Sequence, residues 1–168
     1  KELSLINIEL LYPSWMLFSS GFQRKGVSVY LKRLFDVSVS LLILILASPL
    51  MLFVTIASFI ESRGRDPILY SQVRVGKLGK PFRVHKFRSM RTDAEADGVA
   101  RWATKNDSRI TRVGAFIRKT RLDELPQLFN VLAGSMSLVG PRPERPVFVD
   151  ELAEEIPYFR QRHIVKPG

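Results

Sequence analysis

The longest apolar run of the chain lies between two carboxylates, Asp36 and Glu61. The 24 residues from Val37 to Ile60 carry no charge and are rich in Leu, Ile, Val and Phe. That length reads as a membrane helix. A secretory signal does not fit, because the run is too long, lies too far into the chain and lacks a small-residue cleavage site. Ser48-Pro49 falls near its midpoint, and proline removes a backbone donor and clashes with the preceding turn, so a helix-break-helix is predicted there. Each arm is then about 11 residues, roughly 16 Å at 1.5 Å per residue, against a hydrocarbon core of about 30 Å. Neither arm spans alone. Arg24, Lys25, Lys32 and Arg33 precede the run, and Arg63 and Arg65 follow it. Basic flanks mark the cytoplasmic side, and here both ends are basic. A re-entrant element entering and leaving by one face satisfies these facts, with Ser48 able to satisfy backbone groups freed at Pro49. A proline-kinked spanning helix is the other geometry the pattern admits.

Before this run, residues 3–22 carry Tyr12, Trp15, Phe18 and Phe22 at irregular spacing, as in an interfacial or packed segment. After it, Val73 to Met90 predicts a hairpin: Val73-Arg74-Val75 and Phe82-Arg83-Val84 alternate in type around Gly76-Lys77-Leu78-Gly79-Lys80-Pro81. Thr92 to Ala103 is polar and helix-tolerant. Arg112 to Arg121 reads as a short basic helix with Val113, Phe116 and Ile117 on one side. The strongest helical spacing follows, with Leu125, Leu128, Phe129 and Leu132 at i, i+3, i+4 and i+7, Asp123 as N-cap, Pro126 in the first turn and Gly134 as the stop. Ser137-Leu138-Val139 predicts a short strand before Gly140-Pro141-Arg142-Pro143. Val147 to Arg162 is helical in pattern and interrupted at Pro157. The fold class is thus α+β, in three parts: an interfacial approach segment at 1–31, the re-entrant helix at 32–62, and a small, mainly helical domain with a β-hairpin at 63–168.

Length and charge narrow the partners. A chain of 168 residues, 46% hydrophobic and 25% charged, holds one core and not two ordinary domains. Lys and Arg number 26 against 16 Asp and Glu, and residues 71–168 hold 19 of the former and 11 of the latter. Such a surface favours polyanions: nucleic acid, anionic lipid head groups or phosphorylated small molecules. The absence of cysteine excludes disulfides, thiolate zinc sites and thiol nucleophiles.

Asp123-Glu124 is the most informative pair. Acids belong at helix starts for capping alone, but a carboxylate held ionised there can also attack phosphorus or hold a divalent cation beside amides that bind phosphate. Arg118, Lys119 and Arg121 would draw an anion to the same place. In Pro141-Arg142-Pro143 a guanidinium stands between two residues of fixed φ, which suits bidentate phosphate contact; an incidental surface Arg is the alternative. Lys86, Arg88 and Arg91 cluster around Phe87, and Arg109 and Arg112 form a second basic stretch. Basic residues with aromatics also suit RNA, though a membrane element beside them makes nucleic acid a poor partner. His85 and His163 have no metal spacing, and Gly76 and Gly79 make neither a P-loop nor a dinucleotide fingerprint.

In their order along the chain, several stretches carry a resemblance: Lys32-Arg33-Leu34-Phe35-Asp36, Ser48-Pro49, Arg74-Val75-Gly76, Lys86-Phe87-Arg88-Ser89-Met90, Asp107 to Gly114, Leu122 to Val131, and Ser137 to Pro143. The chain resembles the monotopic bacterial sugar transferases, the phosphoglycosyl transferases that start capsule, O-antigen and exopolysaccharide assembly. The resemblance implies Asp123 as nucleophile with Glu124 as its acidic partner and the use of Mg²⁺, for which this pair is the candidate holder; from their charge and place in the sequence, Arg142, Arg88, Lys86, Arg112 and Arg118 are the candidates for substrate phosphates. It implies transfer of a sugar-1-phosphate from a UDP-sugar to undecaprenyl phosphate with release of UMP, at the cytoplasmic face of the bacterial inner membrane. It also implies a re-entrant helix joined to a small α/β domain, with amphipathic helices on the membrane surface. Longer members carry further helices upstream and continue past Lys166-Pro167-Gly168, so the catalytic domain is expected to be C-terminally incomplete. The expected partners are the UDP-sugar, the polyprenyl phosphate and the lipid bilayer, not nucleic acid; a homo-oligomer is compatible with this set. Two competing accounts remain open at this point. One has direct attack by the lipid phosphate with both acids holding Mg²⁺; the other is a non-catalytic basic module on anionic lipid or nucleic acid.

Overall fold

The computed structural model describes residues 26–94, 104 and 107–168. The approach segment expected at 3–22 and most of Thr92 to Ala103 lie outside the described residues. By packing, the chain divides into two units, Lys1–Phe35 and Asp36–Gly168. What is described of the first unit is the opening of a long helix, where Val27, Tyr30, Leu31 and Leu34 are exposed and the Lys32 ammonium stands 5.7 Å from the centre of the Phe35 ring.

This helix, α1, runs from Gly26 to Ser62 with Pro49 inside it. Among the described residues it is the one helix long and apolar enough to cross a membrane. Where the pattern predicts a break, helical structure continues on both sides of Pro49. A proline costs the hydrogen bond to the carbonyl four residues back, which is Ile45. Ser48 Oγ donates to that same Ile45 carbonyl at 2.8 Å, so the serine hydroxyl replaces the missing amide. Within the second unit, α1 is inverted relative to the helix of a soluble protein. Its inward positions are Asp36, Ser40, Leu44, Val54 and Ser58, whereas Leu42, Ile45, Leu46, Leu52, Phe53, Ile56 and Ile60 face outward.

The polar inner stripe ties α1 to the rest of the unit. Asp36, 4% exposed, accepts from Ser137 Oγ at 2.8 Å and from the Leu138 amide at 3.3 Å. Val54 packs with Phe87 and Ile117 in one apolar cluster. Glu61 accepts the Val113 amide at 3.1 Å. Contacts to the one unit thus extend along α1 from Asp36 to Glu61, roughly 37 Å of helix at 1.5 Å per residue.

The predicted hairpin forms as β1, Leu69–Val75, paired antiparallel with β2, Pro81–Phe87, around a 3₁₀ turn at Lys77–Gly79. Helix α2, Arg112–Lys119, is capped by the Thr111 hydroxyl, which accepts from the Gly114 amide at 2.9 Å. Gly114 lets α2 lie directly on the Ser89 carbonyl; a β-carbon there would collide with it. Ile117 is buried as the pattern predicts, but Phe116 is 53% exposed, since an eight-residue helix buries only a narrow face.

Helix α3, Gln127–Ala133, stops at Gly134 in the left-handed conformation, φ 86°. Its buried Asn130 takes the place of a strand partner for β2: Nδ2 donates to the Arg83 carbonyl at 2.7 Å and Oδ1 accepts the His85 amide at 3.1 Å. No strand forms at Ser137–Val139. Its Ser137 amide bonds the Pro167 carbonyl and its Leu138 amide bonds Asp36, so the donors a sheet would use are taken. Helix α4, Pro146–Glu155, ends before Pro157, and a 3₁₀ helix at Phe159–Ile164 follows.

Candidate active site

A cleft of about 910 Å³ opens between the hairpin, the end of α2, the Leu122–Glu124 turn and the start of α4. Among the described residues, nine basic side chains line it against three carboxylates. Such a bias concentrates anions at its mouth.

The acidic pair sits in it, but not as the helix pattern predicts. Asp123 and Glu124 belong to a separate 3₁₀ turn, Leu122–Glu124, and α3 begins only after Pro126; neither acid caps a helix. The cause lies one residue earlier. Arg121 adopts φ 59°, a left-handed conformation costly for a residue with a β-carbon, and it redirects the chain between α2 and the turn. Asp123 is consequently buried, 8% exposed, and among the described residues its Oδ1 has no hydrogen-bond partner. Burial pushes its pKa up, and Glu124 adds to this, while Lys86 and Arg118 pull it down. The net direction is opposite to that expected of a capping carboxylate.

Glu124 faces the reverse balance. Burial raises its pKa, but Lys86 Nζ at 3.0 Å, Arg142 Nη2 at 3.4 Å and Arg121 Nη1 at 3.8 Å all approach Oε1, and together they hold its carboxyl below the usual range. The two neighbours are thus distinct: one compensated by cations, one buried with an unpaired oxygen. Among the described residues no group of three or more His, Cys, Asp or Glu could hold a metal. Mg²⁺ commonly takes only one or two carboxylates, with waters and substrate phosphates completing its shell. The unpartnered oxygen of Asp123 beside Glu124 fits that donor set.

Residues 27–168 match the family described as bacterial sugar transferase. The chain belongs to that family. A Bacillus subtilis (strain 168) protein, provisionally named an undecaprenyl-phosphate N-acetylgalactosaminyl 1-phosphate transferase, is 54% identical over 79% of this chain and 72% of its own length. The UDP-glucose:undecaprenyl-phosphate glucose-1-phosphate transferase of Klebsiella pneumoniae is 50% identical over 93% of this chain, which spans 32% of that relative. An exopolysaccharide production protein of Rhizobium leguminosarum bv. phaseoli is 46% identical over 84% of this chain and 72% of its own length.

Of the residues singled out in this bacterial sugar transferase from pattern and resemblance, Asp123, Glu124, Lys86, Arg88, Arg118 and Arg142 share the cleft. They are not equivalent. Arg142 is 58% exposed at its side chain and reaches Glu124, whereas Arg88 is buried, donating to the Pro67 and Met90 carbonyls and pairing with Asp66 at 3.4 Å. Arg112 stands outside the lining, at the far end of α2. Ser48 and Pro49 belong to α1. Arg109 binds Asp107 at 2.6 Å and the Ala94 carbonyl at 3.2 Å. Sequence reading missed Tyr70, Gln72 and Arg74 on β1 and Glu144, Arg145 and Phe148 at α4, all of which line the cleft. The alternation of β1 was the available signal for the first three.

Proposed function

We propose that this bacterial sugar transferase moves a sugar-1-phosphate from a UDP-sugar onto undecaprenyl phosphate through a phosphosugar carried on Asp123. The observation that carries the reading is the buried, unpaired Oδ1 of Asp123 in a basic cleft beside a Glu124 already neutralised by Lys86 and Arg142. A carboxylate oxygen without a hydrogen bond is poorly solvated and therefore more nucleophilic when the group is ionised. The names of the relatives support the acceptor and the class of donor.

In the first displacement an Asp123 oxygen bonds to the phosphorus attached to the sugar, and the bond from that phosphorus to the bridging oxygen breaks, its electron pair leaving on UMP. In the second, an oxygen of undecaprenyl phosphate bonds to the same phosphorus and the Asp123 carboxylate departs, leaving the lipid diphosphosugar. Lys86 and Arg118 favour the ionised form of Asp123, and Arg142 offers an exposed guanidinium to a substrate phosphate. Mg²⁺, held by Asp123 and Glu124, would supply positive charge to offset the repulsion between carboxylate and diphosphate.

For the membrane, we infer a re-entrant α1 with both ends on the cytoplasmic side of the bacterial inner membrane. A straight spanning helix would separate Asp36 from Glu61 by the bilayer, yet both bond the same unit, and the outward face of α1 is apolar. Incubated with UDP-sugar and Mg²⁺ without lipid acceptor, the protein should gain the mass of one hexose phosphate on the peptide containing Asp123. Asp123→Asn should fold and lose turnover. Rapid-quench mass spectrometry that finds no adduct in a protein turning over well with acceptor would favour direct attack by the lipid phosphate.

A further inference from the structure

The wall of the cleft formed by β1 carries an ordered row of side chains. Alternation along the strand turns Tyr70, Gln72 and Arg74 to one side, and all three line the cleft. Gln72 Nε2 donates to the Tyr70 hydroxyl at 3.1 Å, and Arg74 Nη2 donates to Gln72 Oε1 at 2.6 Å. Arg74 is itself anchored, because its Nη1 donates to the Pro143 carbonyl and to Glu144, each at 3.2 Å. An arginine has donors only, so it can hold only the oxygen end of the amide. Gln72 therefore cannot flip without losing Arg74. Among the described residues this leaves one N–H and one oxygen lone pair of the amide uncommitted.

The row begins beside the reacting groups. Register sets Tyr70 opposite Lys86, whose ammonium lies 3.0 Å from Glu124. From Tyr70 to Arg74 the strand runs roughly 13 Å away from that point at about 3.3 Å per residue. The Tyr70 residue is 43% exposed, which leaves its ring available to a flat ligand. Within a lining dominated by cations, this is a stretch that offers an aromatic surface next to an oriented amide.

We propose that Tyr70, Gln72 and Arg74 form the nucleobase subsite of the cleft, with Tyr70 as stacking platform and the locked Gln72 amide reading the carbonyl and N–H edge of uracil. The inference rests on the nucleotide-sugar reading above. The free N–H of Gln72 meets a uracil carbonyl, and its remaining lone pair accepts from the imide N–H. Cytosine puts an amino group where that carbonyl would be, so two donors face each other and the amide cannot turn to relieve them. Arg74 is a positioning residue here, acting through Gln72.

Binding of UDP and of CDP to the full chain in detergent micelles, each titrated calorimetrically with Mg²⁺ present, tests the idea. The unaltered protein should prefer UDP. Gln72→Leu should weaken UDP by about tenfold, the scale of a lost hydrogen bond that leaves a polar edge unpaired, and should erase the preference. Gln72→Glu presents acceptors only, so with either base it makes one contact and meets one clash; it should weaken UDP and strengthen CDP until the two bind about equally, and a gain in CDP binding is something a damaged fold would not produce. Tyr70→Leu should weaken both nucleotides alike. A Gln72→Leu variant keeping the original ratio of UDP to CDP affinity would overturn the subsite while leaving the nucleotide-sugar reading intact. No binding of UDP to the unaltered protein would overturn both.

Discussion

Neutralising either of the adjacent acids should change stability in opposite directions. Glu124→Gln removes the charge on which Lys86, Arg142 and Arg121 converge. Arg121 and Arg142 are 73% and 58% exposed at their side chains, so water screens most of their contribution. Lys86 is only 22% exposed and bonds at 3.0 Å, making it the dominant partner. A charge-assisted hydrogen bond of this kind is worth about 2 kcal/mol, which corresponds to a melting temperature lower by roughly 4–8 °C in a protein of this size. Asp123→Asn should act the other way at neutral pH, because burial opposes the charge and Oδ1 has no partner. The expected gain is on the order of 1 kcal/mol.

The pH dependence separates the two further. For Glu124 the folded pKa lies below its ordinary 4.5, so its contribution is present above that value and fades as pH falls through the folded one. The Glu124→Gln deficit should disappear in acid. For Asp123 the folded pKa lies above its ordinary 3.8; the unfolded chain loses its proton first, and stability declines as pH rises from there through the folded value. The Asp123→Asn advantage should therefore vanish as pH drops below about 4. Circular-dichroism melts of both variants in one detergent, from pH 7.5 to 3.5, measure this. If Asp123→Asn melts lower than the unaltered protein at pH 7.5 by as much as Glu124→Gln does, Asp123 is a stabilised ion, and the reasoning from its burial is wrong.

Two further outcomes follow from the site and the helix. Arg142→Lys should lower kcat/KM at least about tenfold, since an ammonium cannot reproduce a planar two-pronged phosphate contact; near-normal rates would leave Arg142 as a surface group. Single cysteines at Ser28 and Arg65 should react with an impermeant thiol reagent from the cytoplasmic side only, and Pro49→Leu should favour a straighter, spanning helix with lower activity. Labelling from opposite sides would refute the re-entrant topology.

Features governed by neighbours in the chain were legible in the sequence. The uncharged run from Val37 to Ile60 sets α1, the glycine-bearing turn between alternating segments sets the hairpin, and Gly134 stops α3, because each rests on hydropathy or backbone preference within a few residues. Ser48 beside Pro49 belongs with these: a hydroxyl one residue before proline lies within reach of the carbonyl that proline leaves unbonded. The family was readable too, from short motifs in order.

Tertiary structure alone decided how the acids differ. Asp123 and Glu124 are adjacent and chemically alike, but which one is buried and which is surrounded by cations depends on the left-handed Arg121 and on Lys86, 38 positions from Glu124. Asp36 reads as the charge that bounds the apolar run, yet it is matched to Ser137, 101 positions away. Asn130 sits in an apolar helical pattern and serves as the edge partner of β2. Arg74 looks like one more cation until Glu144, 70 positions on, fixes it against Gln72. Each is an interaction between polar groups far apart in sequence that must be satisfied once they are removed from water. No local pattern encodes the partner, because folding brings the two ends together only after the elements have packed.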